Sequence, residues 1–516
     1  MTTHARTDAA RGRWVIIALA VLTGWVAPQA ARGNAITDVA QSLLTAIRTG
    51  APSPPVASRD IAMVGIAMYD AVNAATGLTY QPYSYSGGAV PLASADAAAY
   101  YAGYSMLKSL FPSQSSSLQL QQDSAINNLG LSGITQTISQ NLGTSVATNF
   151  FNARASDGSA TAQTPYTPGN QPGNYQFTNP TQTTVVQPGW GNVTPFAITS
   201  VDSVEPPPLW GPGSLYGAAI EADFLASPQY LSALNTVRTT GCNGCGQTLD
   251  ELNLSAFWAD TNGNAQFGST ATPPGHWVAI TDTVATNAGL SLLQTARLEA
   301  MVGASLADAG IVAWDVKNDN DFWRPDTAIH ATGVGGGNDP TWQPLWPDPL
   351  FQSYISGHSS FSMAAATTLG DFFGTDNVSF CSTADPNAHD ATNQAFAETR
   401  CFTSFTAAAD EAGDSRIVGG IHFPFDNSEG LATGEAIADQ VVANAFAAVP
   451  EPSSMAVLAT AVMVLVGICR LKGLKPWNQG RGRRRLRLRT ARQHHPRPLG
   501  QRSRRRHPHP LSPAHL

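Results

Sequence analysis

Positive charge is scarce in the part of this chain that could fold. The protein has 516 residues and a formal net charge of −7, an average over three unlike regions. From Arg470 to the end there are 15 Lys and Arg and no Asp or Glu, while residues 1–35 hold four Arg and one Asp. The stretch from 36 to 469 keeps only ten Lys and Arg against 35 Asp and Glu, a net of −25. So acidic a body is a poor nucleic-acid binder, because that affinity rests on cations neutralising phosphates. At 43% hydrophobic residues the chain is also too apolar to be a disordered acidic polymer. Alternating β-branched runs are few and no segment repeats at a fixed period, which disfavours sheet-built folds and solenoids.

Cysteine is sparse too, with five in the chain. Cys469 lies in an apolar segment near the end, leaving the even set Cys242, Cys245, Cys381 and Cys401, which suits an oxidising compartment. Cys242-Asn-Gly-Cys245 could be a redox pair or half of a zinc site, but no second Cys pair or nearby His completes a tetrahedral set. Two bridges are expected, one within the CxxC loop and one between Cys381 and Cys401.

Ala-rich segments with apolar residues at helical spacing are plentiful: Ile61–Ala75, Ala97–Leu110, Leu290–Trp314, Ser359–Phe373 and Leu431–Ala448. Between 159 and 215 the chain turns to Gly, Pro, Asn and Gln (TPGNQPGNYQF, EPPPLWGPG) and reads as a long ordered loop anchored by Trp190 and Trp210. The expected fold class is all-α, with a helical region at 36–158, the loop excursion at 159–215 and a C-terminal helical domain at 216–448.

Both ends read as addresses. Arg6, Arg11 and Arg13, the apolar run Trp14–Ala27 and the small residues up to Ala35 have the three parts of a secretory signal peptide at 1–35. The apolar run is short for a membrane anchor. At 449–475, Val449-Pro450-Glu451-Pro452-Ser453-Ser454 precedes an apolar stretch to Cys469 and then Arg470, Lys472 and Lys475, an arrangement whose basic end the positive-inside rule places in the cytoplasm. This resembles the PEP-CTERM sorting signal. The resemblance implies export in a Gram-negative bacterium to the periplasm or cell surface, transient anchoring in the inner membrane and an exosortase as partner. The basic low-complexity tail at 476–516 reads as an out-of-frame extension, beside two other readings: a lipid- or nucleic-acid-binding tail and a plain solvated one.

The few cations of the body are not scattered. Lys317 and Arg324 stand seven apart in DVKNDNDFWRP; if the helix continues they share one face, and Pro325 then ends it. Ser356-Gly357-His358 leads into an Ala-rich helix whose first N–H groups can meet an anion. In SRIVGGIHFPFD, Arg416 precedes His422, and Asp426 lies four beyond it, where a carboxylate can hold one ring nitrogen and fix the tautomer. Three cations, a hydroxyl and a backbone N–H are the parts for holding a tetrahedral oxyanion such as phosphate or vanadate. Two histidines add a ligand or nucleophile and a proton carrier.

In order, Lys-x6-Arg-Pro, Ser-Gly-His and Ser-Arg-x5-His-x3-Asp over Lys317 to Asp426 resemble the signature of vanadium-dependent haloperoxidases and their relatives, the type 2 phosphatidic acid phosphatases and bacterial acid phosphatases. Ile355 departs from the usual Pro, which loosens the turn before Ser356, and the gap from His358 to Ser415 is slightly long. The resemblance implies a helical-bundle fold, with Lys317, Arg324, Ser356, Gly357 and Arg416 on the equatorial oxygens and His422 as axial ligand to vanadium. Asp426 would orient His422, His358 would be the acid/base and Lys317 would polarise bound peroxide. Phe322-Trp323, Phe361, IAMVGIAMYDAVNAA and WGNVTPFAI resemble the chloroperoxidase-like bacterial branch. That implies vanadate as cofactor, hydrogen peroxide and halide as substrates and a small organic acceptor. The alternative is an exported acid phosphatase that binds phosphate and works through a phosphohistidine at His422. A structural protein without turnover is the third reading. His276, His330 and His389 have no evident partners, and DTNGN at Asp260 and NDND at Asn318 lack full calcium-ligand spacing.

Overall fold

Alanine on every side lets a helix be surrounded, and two such helices form the centre of this protein. α2 (Pro54–Ala75) and α10 (Leu292–Asn320) bury nearly all their side chains from Ala57 to Ala75 and from Thr295 to Trp314, and they pack along one another. A helix apolar all round must sit inside a core rather than on its surface. The computed structural model describes residues 34–178, 182–260 and 269–449. All of these fall in one unit ending at Val449.

Around the central pair lie α1 (Ala35–Gly50), α3 (Ala95–Leu110), α4 (Ser115–Asn128) and α5 (Gly133–Ala153) from the first part of the chain. The second part adds α6 (Glu221–Leu225), α7 (Pro228–Thr240), α8 (Leu249–Phe257), α9 (Thr272–Asn287), α11 (Pro325–His330), α12 (Gly357–Phe373), α13 (Phe405–Val418) and α14 (Pro424–Asn444). The fold is all-α. The expected helices all form, but α2 and α14 begin seven residues before their predicted starts, at Pro54 and Pro424, and α10 runs six residues past its predicted end, to Asn320.

The scarcity of strand patterns hid one hairpin. β1 (Phe380–Thr383) pairs antiparallel with β2 (Thr399–Phe402), placing Cys381 opposite Cys401. Both expected disulfides are present, Cys242–Cys245 and Cys381–Cys401.

Among its described residues the Gly- and Pro-rich excursion holds only short 3-10 turns, at Ser159–Thr161, Trp190–Asn192 and Val201–Ser203, yet it is tied to the core. Trp190 is buried, and Trp210 packs on Phe224 and Phe322. The buried Asp308 of α10 accepts the backbone N–H groups of Phe196, Ala197 and Ile198 at 2.6, 2.8 and 2.9 Å. Loop backbone therefore finds in a helix carboxylate the partners that a sheet would otherwise supply.

Two glycines set the distance between the helices that carry the site. A Cβ on Gly430 would come within 2.8 Å of the Ser356 carbonyl oxygen, and one on Gly434 within 2.5 Å of that of Ser360. α14 thus lies against the first turns of α12 at a separation only glycine permits. No helix among the described residues is long and apolar enough to cross a membrane. The sorting segment after Val449, the basic tail and most of the signal peptide lie outside the described residues.

Candidate active site

Lys317 comes from the last turn of α10, which stops at Asp321 in a left-handed conformation (φ 46°). Arg324 is extended (φ −83°, ψ 158°), as a residue before proline must be, and begins α11. The continuous helix expected from Lys317 to Arg324 is therefore broken between them. Backbone of the excursion fills the break: Tyr175 N–H donates to the Asp321 carbonyl at 2.7 Å and Trp323 N–H to that of Gly173 at 2.8 Å. The two cations converge nevertheless, since both donate to the Gln352 carbonyl, Lys317 Nζ at 2.9 Å and Arg324 Nη2 at 3.3 Å.

The segment 351–355 wraps these cations. Lys317 Nζ also donates to the carbonyls of Ser353 and Ile355, so all three of its hydrogens are engaged by one turn of chain. Ile355 thus leaves the turn closed rather than loosened. Arg324 Nε donates to the Phe351 carbonyl at 2.9 Å, and Nη1 to the Ile421 carbonyl at 2.6 Å and to His422 Nε2 at 3.1 Å. The Phe351 ring lies under both cations, 5.2 Å from Lys317 Nζ and 5.1 Å from the Arg324 guanidinium carbon. Of the aromatic residues noted in the sequence, Phe361 borders the site, since a Cβ on Gly357 would lie 3.7 Å from its ring. Phe322 belongs to a cluster with Phe224, Tyr230, Phe423 and Phe425, and Phe361 packs on Trp314.

Ser356 is the N-cap of α12, its Oγ accepting the Ser359 N–H at 3.3 Å. Gly357 is the first helical residue, so its N–H has no partner within the helix. Arg416, in the last turn of α13, donates from Nε to Ser415 Oγ at 2.9 Å and from Nη2 to the Ser255 carbonyl at 3.2 Å, keeping its remaining N–H groups for other acceptors.

His422 precedes Phe423, the N-cap of α14, and Asp426 is in that helix's first turn. His422 Nδ1 meets Asp426 Oδ2 at 2.9 Å, which also accepts the Phe423 N–H at 3.0 Å and the Ser353 hydroxyl at 2.5 Å. With Nδ1 facing a carboxylate, Nε2 carries the lone pair. Nothing in the sequence singled out Ser353, three residues before the Ser-Gly-His block. His358 lies in the first turn of α12, where the carbonyls of Ala259 and Trp258 favour a proton on its ring, while its buried Nε2 has no partner among the described residues.

Charge in this interior is lopsided. Lys317, Arg324 and Arg416 are all buried, and among the described residues Asp426 is the one carboxylate bonded directly to the group. Burial first, then Arg324, Lys317, His358 and Arg416, holds His422 well below the usual histidine value, and burial with Arg416 does the same for His358. Both rings are therefore neutral at pH 7. Burial likewise brings Arg416 down to about 10, with Asp260 opposing, and raises Asp426 to about 6 against its hydrogen bonds. Such an excess of buried cation is relieved by an anion.

Two histidines set aside in the sequence do have partners. His276 Nδ1 lies 3.0 Å from Asp260 and its Nε2 lies 3.2 Å from Ser382 Oγ, while His330 Nε2 lies 2.7 Å from the Trp342 carbonyl. Elsewhere Glu205, Asp315 and Asp319 bring carboxylate oxygens within 4.8 Å of one another, with no further sign of a ligand.

A helical scaffold that gathers three cations, a capped helix start and a His–Asp pair in its interior defines an oxyanion-binding protein. The family described as VCPO second helical-bundle domain matches residues 297–450, which contain the whole cation and histidine set. Vanadium chloroperoxidase of Curvularia inaequalis is 27% identical over 260 residues, 43% of this chain and 41% of that enzyme, so the match spans about two fifths of the relative's length. Among solved structures, a bacterial vanadium-dependent iodoperoxidase superposes with a TM-score of 0.66 at 26% identity, covering 81% of this chain and 97% of that one. An apo-type bacterial vanadium-dependent chloroperoxidase, at a TM-score of 0.59 and 17% identity over 76% of this chain and 93% of that one, shares the fold. The chain is thus similar to vanadium haloperoxidases in the domain that carries the site and in its fold.

Proposed function

We propose that this protein is a vanadium-dependent haloperoxidase, oxidising halide with hydrogen peroxide to hypohalous acid. The observation that carries this reading is the buried cluster of three cations around a neutral histidine whose tautomer is fixed by Asp426. The residues fit vanadate. Arg416, the Gly357 N–H and the Ser356 hydroxyl retain donors for its oxygens, Arg324 adds charge and a further N–H, and His422 Nε2 offers the lone pair. Bound there, vanadate supplies a Lewis acid that activates peroxide without changing its own oxidation state.

The chain's own residues set the conditions. Asp426 and Ser353 hold His422 in the orientation that turns Nε2 inward. His358 holds or releases a proton at Nε2, the ring nitrogen left without a partner. Lys317 acts chiefly through its field and through the 352–355 turn, because its three hydrogens are bonded to carbonyls; to reach an oxygen of the anion it must trade one of them. Phe351 and Trp314 line the cations with apolar surface, which strengthens each electrostatic contact by keeping water off.

The test is direct. The purified full chain, loaded with vanadate and given peroxide, bromide and a halogen-accepting dye, is expected to brominate the dye. Phosphomonoester hydrolysis by the metal-free protein, inhibited by vanadate and without bromination, would instead identify a phosphatase. Ser353→Ala removes one of the three donors to Asp426 Oδ2 and is expected to lower vanadate affinity about tenfold, as loss of an outer hydrogen bond to a metal ligand does. Titration of the variant with vanadate measures it; wild-type affinity would show that Phe423 N–H and His422 suffice.

We further propose that residues 1–35 direct export and that 449–475 is a PEP-CTERM segment handled by an exosortase-type enzyme at the inner membrane of a Gram-negative bacterium. The domain boundaries at 158, 215 and 448 belong to the same proposal. Asn34 caps α1 through the N–H groups of Ile36 and Thr37 and donates to Thr295 Oγ1 at 3.0 Å. Cleavage on its N-terminal side would preserve that cap.

A further inference from the structure

The three residues that follow α8 touch the oxyanion site from behind, and one buried residue holds them. Trp258, Ala259 and Asp260 follow α8 directly. The carbonyls of Trp258 and Ala259 face the His358 ring, Asp260 offsets the burial of Arg416, and the Ser255 carbonyl near the end of α8 accepts Arg416 Nη2 at 3.2 Å. Two residues of the site, from different helices, thus lean on three consecutive residues of one loop.

That loop is held by His276 of α9. Its Nδ1 lies 3.0 Å from Asp260 Oδ2, its Nε2 lies 3.2 Å from Ser382 Oγ, and its ring stacks on Trp258 with centroids 4.5 Å apart and planes at 27°. The ring of Phe257 closes another side at 5.0 Å. Asp260, His276 and Ser382 are all nearly inaccessible, so this Asp-His-Ser chain has the atoms of a hydrolytic triad without room for a substrate. Its far end is anchored covalently, because Ser382 sits in β1 beside the Cys381–Cys401 bridge.

We propose that His276 is a positioning residue of the oxyanion site. By fixing Asp260 and Trp258 together it sets where Arg416 and His358 stand relative to one another, though it touches no part of the anion itself. This rests on the haloperoxidase reading and extends it to a residue 41 positions upstream of Lys317, the nearest site residue in sequence. A histidine is suited to the place: it offers two opposed hydrogen-bonding atoms and a flat face at once.

The experiment uses the full chain, with vanadate affinity measured by calorimetric titration of the metal-free protein and folding followed by thermal melting. His276→Phe keeps the stacked ring and removes both hydrogen bonds; it is expected to weaken vanadate binding about tenfold, the range for lost outer partners of a metal site. His276→Gln, which can restore the bond to Asp260, is expected to recover part of that affinity. A merely structural role would give the two variants equal losses tracking their melting temperatures. Should His276→Phe fail to fold, Ser382→Ala and His276→Gln decide, with a two- to threefold loss expected of each (about the weight of one of two shared contacts). Folded variants that bind vanadate as tightly as wild type would overturn the assignment of His276 alone. Wild-type protein that does not bind vanadate would overturn the functional reading and this one with it.

Discussion

Replacing His422 by alanine is expected to abolish dye bromination, a loss on the order of 10³-fold or more, because it removes the nitrogen lone pair that Asp426 fixes toward the cation cluster. Arg324 Nη1 would lose its contact with Nε2 but keep the Ile421 carbonyl. Asp426 Oδ2 would keep the Phe423 N–H and the Ser353 hydroxyl. The framework therefore survives, and the stability cost is expected to stay within about 2–3 kcal/mol, the usual range for truncating a buried side chain. Two measurements are needed: turnover at saturating peroxide and bromide, and the denaturation midpoint. A folded His422→Ala protein with more than a tenth of wild-type turnover would remove this histidine from the chemistry.

Lys317→Met is expected to have the second largest effect, and on both stability and function. Methionine fills a similar volume but leaves the carbonyls of Gln352, Ser353 and Ile355 without their shared donor. Buried acceptors left unmatched cost about 1–3 kcal/mol each before relaxation, so marked destabilisation is expected. Vanadate affinity is expected to fall about 10²-fold, as for removal of one preorganised donor or charge.

The pH dependence gives a finer test of the same residue. Burial, then Arg324, lowers the Lys317 pKa well below its usual 10.5. As pH rises through that lowered value the ammonium loses its charge, and anion affinity falls with it. Stability moves the other way: between the folded and unfolded values the unfolded chain binds more protons, so this group's contribution to stability increases with pH. Comparing wild type with Lys317→Met at each pH cancels the anion's own titration. The alkaline limb should be present in the first and missing in the second, and a limb shared by both would assign it to another group.

The line between what sequence could and could not reveal follows the range of the interactions. Lys317, Arg324, Ser356, Gly357, Arg416, His422 and Asp426 stood out because cations are rare in the body and the blocks have fixed internal spacing. The His422–Asp426 contact is local, four residues on one helix start, and was readable as such. The break between Lys317 and Arg324 was not, because it depends on backbone from Gly173 and Tyr175 filling the gap, some 150 residues away in sequence. Ser353 carried no signal, since a lone serine in a loop has many uses and only the fold aims this one at Asp426. His276 was passed over for the same reason: Asp260 and Ser382 reach it from 16 and 106 residues away. The hairpin escaped notice because its four-residue strands are too short for alternation to show, although the Cys381–Cys401 pairing that crosses it was anticipated from cysteine parity.

The separation of charge between the inside and the outside of this molecule bears on how it would behave in brine. Ionic strength acts on charges that water can reach, over a Debye length of about 8 Å at physiological salt. The three cations of the site are out of that reach, whereas the body as a whole carries a net negative charge that an approaching anion must meet. Added salt therefore dampens the repulsion met by an incoming halide while leaving the grip on the oxyanion nearly untouched. Encounter rates for anions rise with salinity and residence at the centre does not shorten, the reverse of what a cationic surface site would do.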